Sequence, residues 1–412
     1  MKYFHFLLFA SIFLLTSCKD DPTPPQQLPE GYQYDISWPS LADSPWPMYR
    51  GNPQGTARSK YIGPQQGIVE WERDSLMLTT GLSIGYNNVI YTISEKPYLG
   101  IYAINDKGKF LWKYDSLDTR IMDLHTTPVI LKDSTIITTS GQWGEVIALT
   151  PDGKLKWKCN IGNALYNVGI VVGLDGTIYL TDNTNTLNAV SNRGELLWSY
   201  SDPRIGHFGF VALTFSPDSK TLYIQGKEVS LIAFNLETKT IKWVFGNHTL
   251  DSYPLVDCKG NIYILTNNSE LNNKHSLYSL KPDGTIRWIY EHNNRNFTEN
   301  ENGMAMDYDG NIYFAFDTLY SVNYQGNLNW KIPLGYLNLA PLVVDAIGTV
   351  YVQRSGNGID QLPLAVTKDG KILWEITSPL NSYSGDCGAI SSNGRWYLSF
   401  YKWGDAKIYS IK

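Results

Sequence analysis

Two nearly identical nonapeptides occur in the chain, LTPDGKLKW at residues 149–157 and LKPDGTIRW at residues 280–288. Each has an apolar start, an Asp-Gly pair in the middle and a tryptophan at its end. The pair Asp152-Gly153 between alternating apolar stretches predicts a β-hairpin, because a primed turn needs a positive φ that glycine adopts at little cost. The two terminal tryptophans are 131 residues apart, which is about three times the 40–45 residues of a propeller repeat. The nonapeptide therefore indicates a repeat.

The same pattern recurs along the chain and keeps one register of tryptophans, with successive gaps of 41, 45, 41, 45, 45, 42 and 44 residues. A second hairpin signal occurs once in each unit, as in GLDGTIYL, DCKGNIYI and DAIGTVYV. Each unit therefore holds four short strands, and a unit of this kind is a propeller blade that becomes buried only by stacking on its neighbours. The eight repeat tryptophans are Trp71, Trp112, Trp157, Trp198, Trp243, Trp288, Trp330 and Trp374.

The ends of the repeat region predict how the ring closes. The sequence AKIYSIK at 406–412 is a third strand without a fourth, and GIVEW at 67–71 is a fourth strand without the preceding three. Pairing the two would complete the last blade and remove two exposed sheet edges. The fold prediction is therefore all-β, a single eight-bladed propeller over residues 46–412 with four-stranded antiparallel blades, closed by its N-terminal and C-terminal strands.

The start of the chain has the layout of an export signal. One basic residue, Lys2, precedes an apolar stretch that is too short for a comfortable membrane span. Residues 15–18, Leu-Thr-Ser-Cys, resemble a bacterial lipobox. The resemblance implies that residues 1–17 are a signal peptide and that Cys18 is lipidated. The proline-rich, polar residues 18–45 are then expected to form a flexible tether.

Charge and cysteine content narrow the function classes. Removal of the signal peptide takes away Lys2, so the formal net charge changes from −5 to −6. No basic stripe is present, and we therefore expect no nucleic-acid partner. Beyond Cys18 the chain has Cys159, Cys258 and Cys387, whose spacing matches no metal site. We expect all three to be buried small apolar residues.

The repeat A-x-(D/T/N)-x-x-G-x-x-x-W, together with WPMYRGNPQGTARS at 46–59, resembles the PQQ-like repeat propellers. That family includes the quinoprotein dehydrogenases and the barrel-assembly lipoprotein BamB. The resemblance covers residues 46–412 and implies that each repeat tryptophan packs between blades in a structural role. The motif by itself supplies no cofactor, and none is expected.

An enzyme of the quinoprotein type would need a vicinal cysteine pair, calcium ligands and a catalytic Asp, as the resemblance implies. Adjacent cysteines do not occur in the sequence, so this function is the less favoured alternative and no catalytic residue is assigned. The stretch DYDGN at 307–311 looks like the first half of a calcium loop, but a strand-like IYFAF follows it. Asp309-Gly310 is therefore predicted to be a hairpin turn, and no metal site is expected.

Candidate binding residues lie outside the tryptophan register. Trp143, Trp403 and Tyr98 fall in the loops between second and third strands of consecutive blades, which share one face of a propeller. Clustered aromatic side chains on a surface are typical of binding sites, although each ring could instead pack onto its own blade. His125 and His207 precede first strands and would lie at the mouth of the central channel.

Two classes of partner fit this face. A BamB-like role predicts a protein partner at the outer membrane, bound through loops or an added strand. A surface role predicts a glycan stacked on the aromatic rings, and the Asn-rich loops 267–275 and 291–303 would suit saccharide hydroxyls. In both cases Cys18 would attach the protein to the outer membrane, at its periplasmic or its outer surface.

Overall fold

A computed structural model of the chain shows an eight-bladed β-propeller. The structure describes residues 28–76, 81–94, 98–117, 126–140, 144–165, 169–206, 213–247, 250, 252–268, 274–292, 303–335, 337–338, 340–356, 360–377, 380–381, 384–385, 388–402 and 405–412. Within these ranges, no helix has the length and apolar composition needed to cross a bilayer. The predicted fold class and number of blades are confirmed.

Blades are numbered along the chain and strands from the axis outward. Blade 1 comprises Ser83–Ile84, Ile90–Ser94, Gly100–Ile104 and Phe110–Tyr114, with a 3-10 turn at Tyr86–Asn88. Blade 2 comprises Val129–Ile130, Ile136–Ser140, Glu145–Leu149 and Leu155–Asn160. Blade 3 comprises Val171–Val172, Ile178–Thr181, Thr186–Val190 and Leu196–Ser201. Blade 4 comprises Leu213–Phe215, Thr221–Gln225, Leu231–Asn235 and Thr240–Phe245.

The second half of the ring repeats this arrangement. Blade 5 comprises Leu255–Val256, Ile262–Asn268, Lys274–Leu280 and Ile286–His292. Blade 6 comprises Ala305–Met306, Ile312–Ala315, Thr318–Val322 and Leu328–Pro333. Blade 7 comprises Val343–Val344, Val350–Gly356, Asp360–Val366 and Ile372–Glu375, with two short added strands at Leu337–Asn338 and Leu380–Asn381. Blade 8 comprises Ala389–Ile390, Trp396–Lys402, Asp405–Ile411 and Val69–Leu76, with an added strand at Ser384–Gly385.

Blade 8 closes the ring as the sequence predicts. Its outer strand, Val69–Leu76, runs antiparallel to Asp405–Ile411, and Val69 lies opposite Ile411. Arg395 and Lys407 of this blade form ion pairs with Glu70 and Glu72 of the outer strand. The first strand of the repeat region is thus the last strand of the ring.

The core lies between the blades. First, second and third strands are almost entirely buried, as in the all-buried Ile90–Ser94, whereas fourth strands alternate between partly buried and exposed positions. The alternation arises because successive side chains of a strand point to opposite faces of the sheet. Of the three cysteines expected to be buried, Cys159 and Cys258 are buried free thiols. Cys387 lies outside the described residues.

The repeat tryptophans contact the next blade through one recurring geometry. Trp112 donates its indole N–H to the carbonyl of Pro151, 2.9 Å away, in the turn between the third and fourth strands of blade 2. The ring lies against Gly153 of the same turn, where a Cβ atom would be 2.6 Å from the indole. Six tryptophans donate in this way at 2.7 to 3.1 Å, namely Trp71, Trp112, Trp157, Trp243, Trp288 and Trp330.

Two blades depart from this geometry. Trp374 donates to the carbonyl of Pro64 at 2.8 Å. Pro64 takes the place of the turn residue because the fourth strand of blade 8 comes from the start of the repeat region, and no turn joins it to the third strand. The turn beside Trp198 has no glycine. Lys239 takes its place with a φ of 54° and its ammonium lies 5.5 Å from the center of the indole ring.

Replacing Gly153 by alanine is expected to destabilise the protein by about 2–3 kcal/mol, because the new Cβ overlaps Trp112 and the residue has a positive φ. Gly162 is a matched control, since it has a φ of 89° and an added Cβ would have nothing within 4 Å of it. Gly162→Ala should cost only about 1 kcal/mol. Urea denaturation of both variants measures the difference, and equal costs would contradict the contact with the indole.

Candidate functional site

The propeller has two different faces. The turns between first and second strands and between third and fourth strands lie on one side, here called the turn face. The loops between second and third strands and between successive blades lie on the other side, here called the loop face. This division follows from the alternating direction of the strands in each four-stranded antiparallel sheet.

Residues 46–59, here called the central segment, lie in the channel mouth at the turn face. Main-chain carbonyls of Pro53, Gln54, Thr56 and Ala57 accept N–H groups from the first strands of blades 4, 5, 6 and 7 respectively. Trp46 exchanges two such hydrogen bonds with Ile84 of blade 1, and Pro47 accepts one from blade 2. The segment thus contacts the inner edges of six blades in succession.

The central segment satisfies backbone groups that would otherwise lack partners. First strands border the channel, so one edge of each has no neighbouring strand, and buried N–H groups need an acceptor. Gly55 lets the segment pass close to blade 5, because it has a φ of 62° and a Cβ atom would lie 3.1 Å from the carbonyl of Pro254. The central segment therefore fills the channel mouth.

Arg50 reaches from the central segment into the channel. It is 2% exposed, and its guanidinium donates to the carbonyls of Tyr253, Pro254 and Met304, which precede the first strands of blades 5 and 6. Its charge also lies over the ring of Tyr253, 5.9 Å from the ring center. Arg50 thereby connects the segment to two blades.

Residues 28–45, which the sequence predicts to belong to the flexible tether, instead pack against the turn face. The indole of Trp38 donates to the carbonyl of Val172 at 2.7 Å. The main-chain N–H of Ala42 donates to Ile130, and that of Lys132 donates to Ser40, so both bonds join this stretch to blade 2. Trp38 is buried beside Phe215. The buried indole of Trp38 and several backbone hydrogen bonds outweigh the polar, proline-rich composition on which the prediction relied.

A cavity of about 380 Å³ lies between residues 34–45 and the central segment. Its ionisable side chains are largely paired: Arg58 contacts Asp35 at 3.0 Å, and Lys60 contacts Asp43. Hydrogen bonding to Lys60 is the main cause that lowers the pKa of Asp43. These ion pairs hold the two stretches of chain together across the mouth.

One of the candidate binding residues, Tyr98, is described on the loop face. Tyr98 lies in the loop between the second and third strands of blade 1, is half-buried, and its carbonyl accepts a hydrogen bond from the hydroxyl of Tyr102 at 2.7 Å. Trp143, Trp403, His125 and His207 lie outside the described residues. Their grouping with Tyr98 stays a prediction.

The sequence analysis missed a histidine pair near the loop face. His275 and His292 are opposite each other on the third and fourth strands of blade 5, with ring centers 5.7 Å apart. His292 is 4% exposed and stacks on Phe316 of blade 6. Burial, and then the charge of His275, lower the pKa of His292 to about 3. The two positions become opposite only through the strand register, which their spacing in the sequence does not show.

The low pKa of His292 predicts acid sensitivity. The unfolded chain binds this proton below about pH 6.5, whereas the folded chain resists it until about pH 3, so stability is lost as pH falls between these values. Between pH 7 and pH 4 the loss from this group is about 3 kcal/mol. Urea denaturation at both pH values should show that the free energy of unfolding falls less on acidification in His292→Phe than in the parent. An equal acid loss in the two proteins would contradict this assignment.

Buried aspartates organise the turns between first and second strands in blades 5 to 7. Asp307 accepts the N–H groups of Asp309 and Asn311 and the hydroxyl of Tyr313. Asp345 occupies the same place in blade 7, and burial raises the pKa of both carboxyls. The DYDGN stretch is therefore a hairpin turn, as predicted.

A quinone and calcium site of the quinoprotein type would need calcium ligands among the side chains of the chain. Within the described ranges, no three His, Cys, Asp or Glu side chains converge as a metal site. The carboxyls of Asp307 and Asp345 are occupied by hydrogen bonds within their own turns. These carboxyls do not fit a calcium site, and no step of a mechanism is assigned to calcium or to a quinone.

Comparisons with known proteins agree with this architecture. A family model described as outer membrane protein assembly factor BamB matches residues 99–244. None of the curated proteins matches the chain at a significant level.

Solved structures share the fold at low sequence identity. BamB from Moraxella catarrhalis is 14% identical with a TM-score of 0.58, and the match covers 84% of this chain and 99% of BamB. A quinohemoprotein alcohol dehydrogenase from Pseudomonas putida HK5 is 13% identical with a TM-score of 0.66, over 92% of this chain and 83% of the dehydrogenase. The Dos1 propeller is 12% identical with a TM-score of 0.57, over 85% and 95% of the two chains. The chain thus shares its β-propeller fold with these structures, and residues 99–244 match the BamB family model.

Proposed function

We propose that the protein is a cell-envelope lipoprotein that acts as a non-catalytic interaction module and binds a protein partner at its loop face. The observation that carries this proposal is the occupation of the turn-face mouth by the chain itself. A partner that uses the channel mouth must therefore approach from the loop face. The match to the BamB family model supports a protein-interaction role at the outer membrane.

The fold alone does not choose this function, because it is common to BamB and to a dehydrogenase. The ring suits an interaction module, since the loops between second and third strands are held by strands that are hydrogen-bonded on both sides. Tyr98, Trp143 and Trp403 are the aromatic anchors that we assign to the binding face. Anchors of this type contribute about 2 kcal/mol or more at the center of an interface.

The test is affinity capture from membranes with the intact lipoprotein and with the Trp143→Ala, Trp403→Ala double variant. We expect the variant to lose the captured partner while its melting temperature stays nearly unchanged. Tyr86→Ala is the matched control, because Tyr86 is an aromatic residue that is 40% exposed on the turn face. It should retain the partner.

Two further measurements separate the alternatives. A glycan array run with the same proteins would support the glycan alternative if binding depended on Trp143 and Trp403. Cys18→Ser should release the protein from washed membranes, because the lipid anchor is removed. The binding face is contradicted if the double variant loses as much stability as Trp157→Ala, because the two rings would then belong to the core.

A further inference from the structure

Residues 31–45, here called the strap, cross the channel mouth beside the central segment. Gln33 is fully buried and fixes one end of the strap, because its main-chain N–H donates to Tyr308 of blade 6 and its side-chain carbonyl accepts the N–H of Cys258 of blade 5. The main-chain N–H of Ala42 fixes the other end to blade 2. The cavity of about 380 Å³ lies between these two stretches of chain.

Three residues that line this cavity keep a buried polar atom without a partner. Ser44 Oγ, Gln54 Nε2 and Arg58 Nε have no hydrogen-bond partner among the described residues, and the three residues are 5%, 3% and 6% exposed. Each of these atoms can donate a hydrogen bond. Buried donors without an acceptor are costly and rare in native proteins. A molecule in the cavity that carries acceptor oxygens would remove this cost.

The ionisable side chains of the cavity carry an excess of positive charge. Arg58 and Lys60 form ion pairs with Asp35 and Asp43 respectively. Lys132 also lines the cavity, is exposed, and forms no ion pair with a described residue. At neutral pH three cations therefore face two carboxylates, and the sum is one positive charge. An anionic molecule is favoured over a neutral one of the same size.

The volume and the uncharged lining narrow the class of ligand further. Pockets for small molecules usually enclose about 300–1,000 Å³, and this cavity is at the lower end of that range. Ser37, Asn52 and Thr56 add hydroxyl and amide groups to the lining, and such groups both donate and accept hydrogen bonds. They match the hydroxyls of a polyhydroxy compound better than they match an alkyl chain.

We propose that the cavity between the strap and the central segment binds a small hydroxylated organic acid of about the size of a monosaccharide. Its carboxylate would lie toward Lys132 and its oxygens would accept from the buried donors. The site lies on the turn face, so it is separate from the loop face to which we assign the protein partner. The proposal therefore does not rest on that partner, and the two ligands could be bound at the same time.

The test is isothermal titration calorimetry of the full mature chain carrying Cys18→Ser, which has no lipid of its own, with D-glucuronate as the probe. We expect saturable binding with a dissociation constant of roughly 1 mM or tighter, as a ligand of this size can supply. D-Glucose is the matched uncharged molecule. It should bind about tenfold more weakly or less, because it lacks the carboxylate.

The double variant Ser44→Ala, Lys132→Met removes one buried donor and one cation and should bind D-glucuronate about tenfold more weakly than the parent. Lys154→Met is the matched control, since Lys154 is an exposed lysine of blade 2 outside the cavity lining, and it should bind like the parent. Melting temperatures verify that both variants are folded. The proposal is overturned if D-glucuronate does not bind, as expected of a cavity filled by water alone, if D-glucose binds equally, or if both variants weaken binding to the same extent.

Discussion

Deletion of residues 405–412 is expected to abolish cooperative unfolding, the largest effect of any change considered for this protein. The deletion removes the partner of Val69–Leu76 and the ion pair between Lys407 and Glu72. Trp396–Lys402 then loses its neighbour as well. Two unpaired strand edges and an opened ring should lead to aggregation. Circular dichroism melting and light scattering measure the outcome.

A chain shortened by the eight residues before Leu28 is the control for length. It keeps both strands of the closing pair and should melt like the parent. If the chain lacking 405–412 melts with the same midpoint and sharpness as the parent, the strand pairing does not hold the ring together.

Arg50→Met is expected to give the second-largest effect, a destabilisation of about 3–5 kcal/mol. The substitution keeps the side-chain length but removes the donors to the carbonyls of Tyr253, Pro254 and Met304. Buried carbonyls without donors are costly, and the central segment would lose its connection to blades 5 and 6. The urea midpoint is the measurement.

The control for Arg50 is Arg204→Met. Arg204 also forms charged hydrogen bonds, to Asp202, but its side chain is 41% exposed, so its loss should cost less than about 1 kcal/mol. Equal shifts for the two variants would show that burial of Arg50 does not matter.

The sequence was sufficient to predict the ring of blades but not the path of the chain that fills its center. Blade number and closure follow from local patterns, because each hairpin and each tryptophan is encoded within about 45 residues. The path of residues 28–59 is set by contacts with strands that are distant in the sequence, such as that of Arg58 with Met306 and Asp307. No local pattern indicates contacts of that kind, and polar composition favoured a tether.

The candidate sites divide in the same way. Trp143 and Trp403 are candidates because they lie outside the tryptophan repeat, and Tyr98 is a candidate because it lies in the corresponding loop of blade 1; a sequence shows both features directly. The pairing of His275 with His292 depends on strand register, which the spacing of the two residues in the sequence does not show.

The central segment also sets the order in which the chain can fold. Its carbonyls accept N–H groups of Phe215, Val256, Met306 and Val344, so the residues made first find their last partners only after most of the chain has left the ribosome or the export channel. Such pairings have very high contact order and form slowly. Trp46 and Pro47 can pair with blades 1 and 2 early, but the carbonyls of residues 53–57 have no partners until blades 4 to 7 are made. Aggregation is therefore most expected late in synthesis, when a nearly complete propeller still presents unpaired strand edges to other chains.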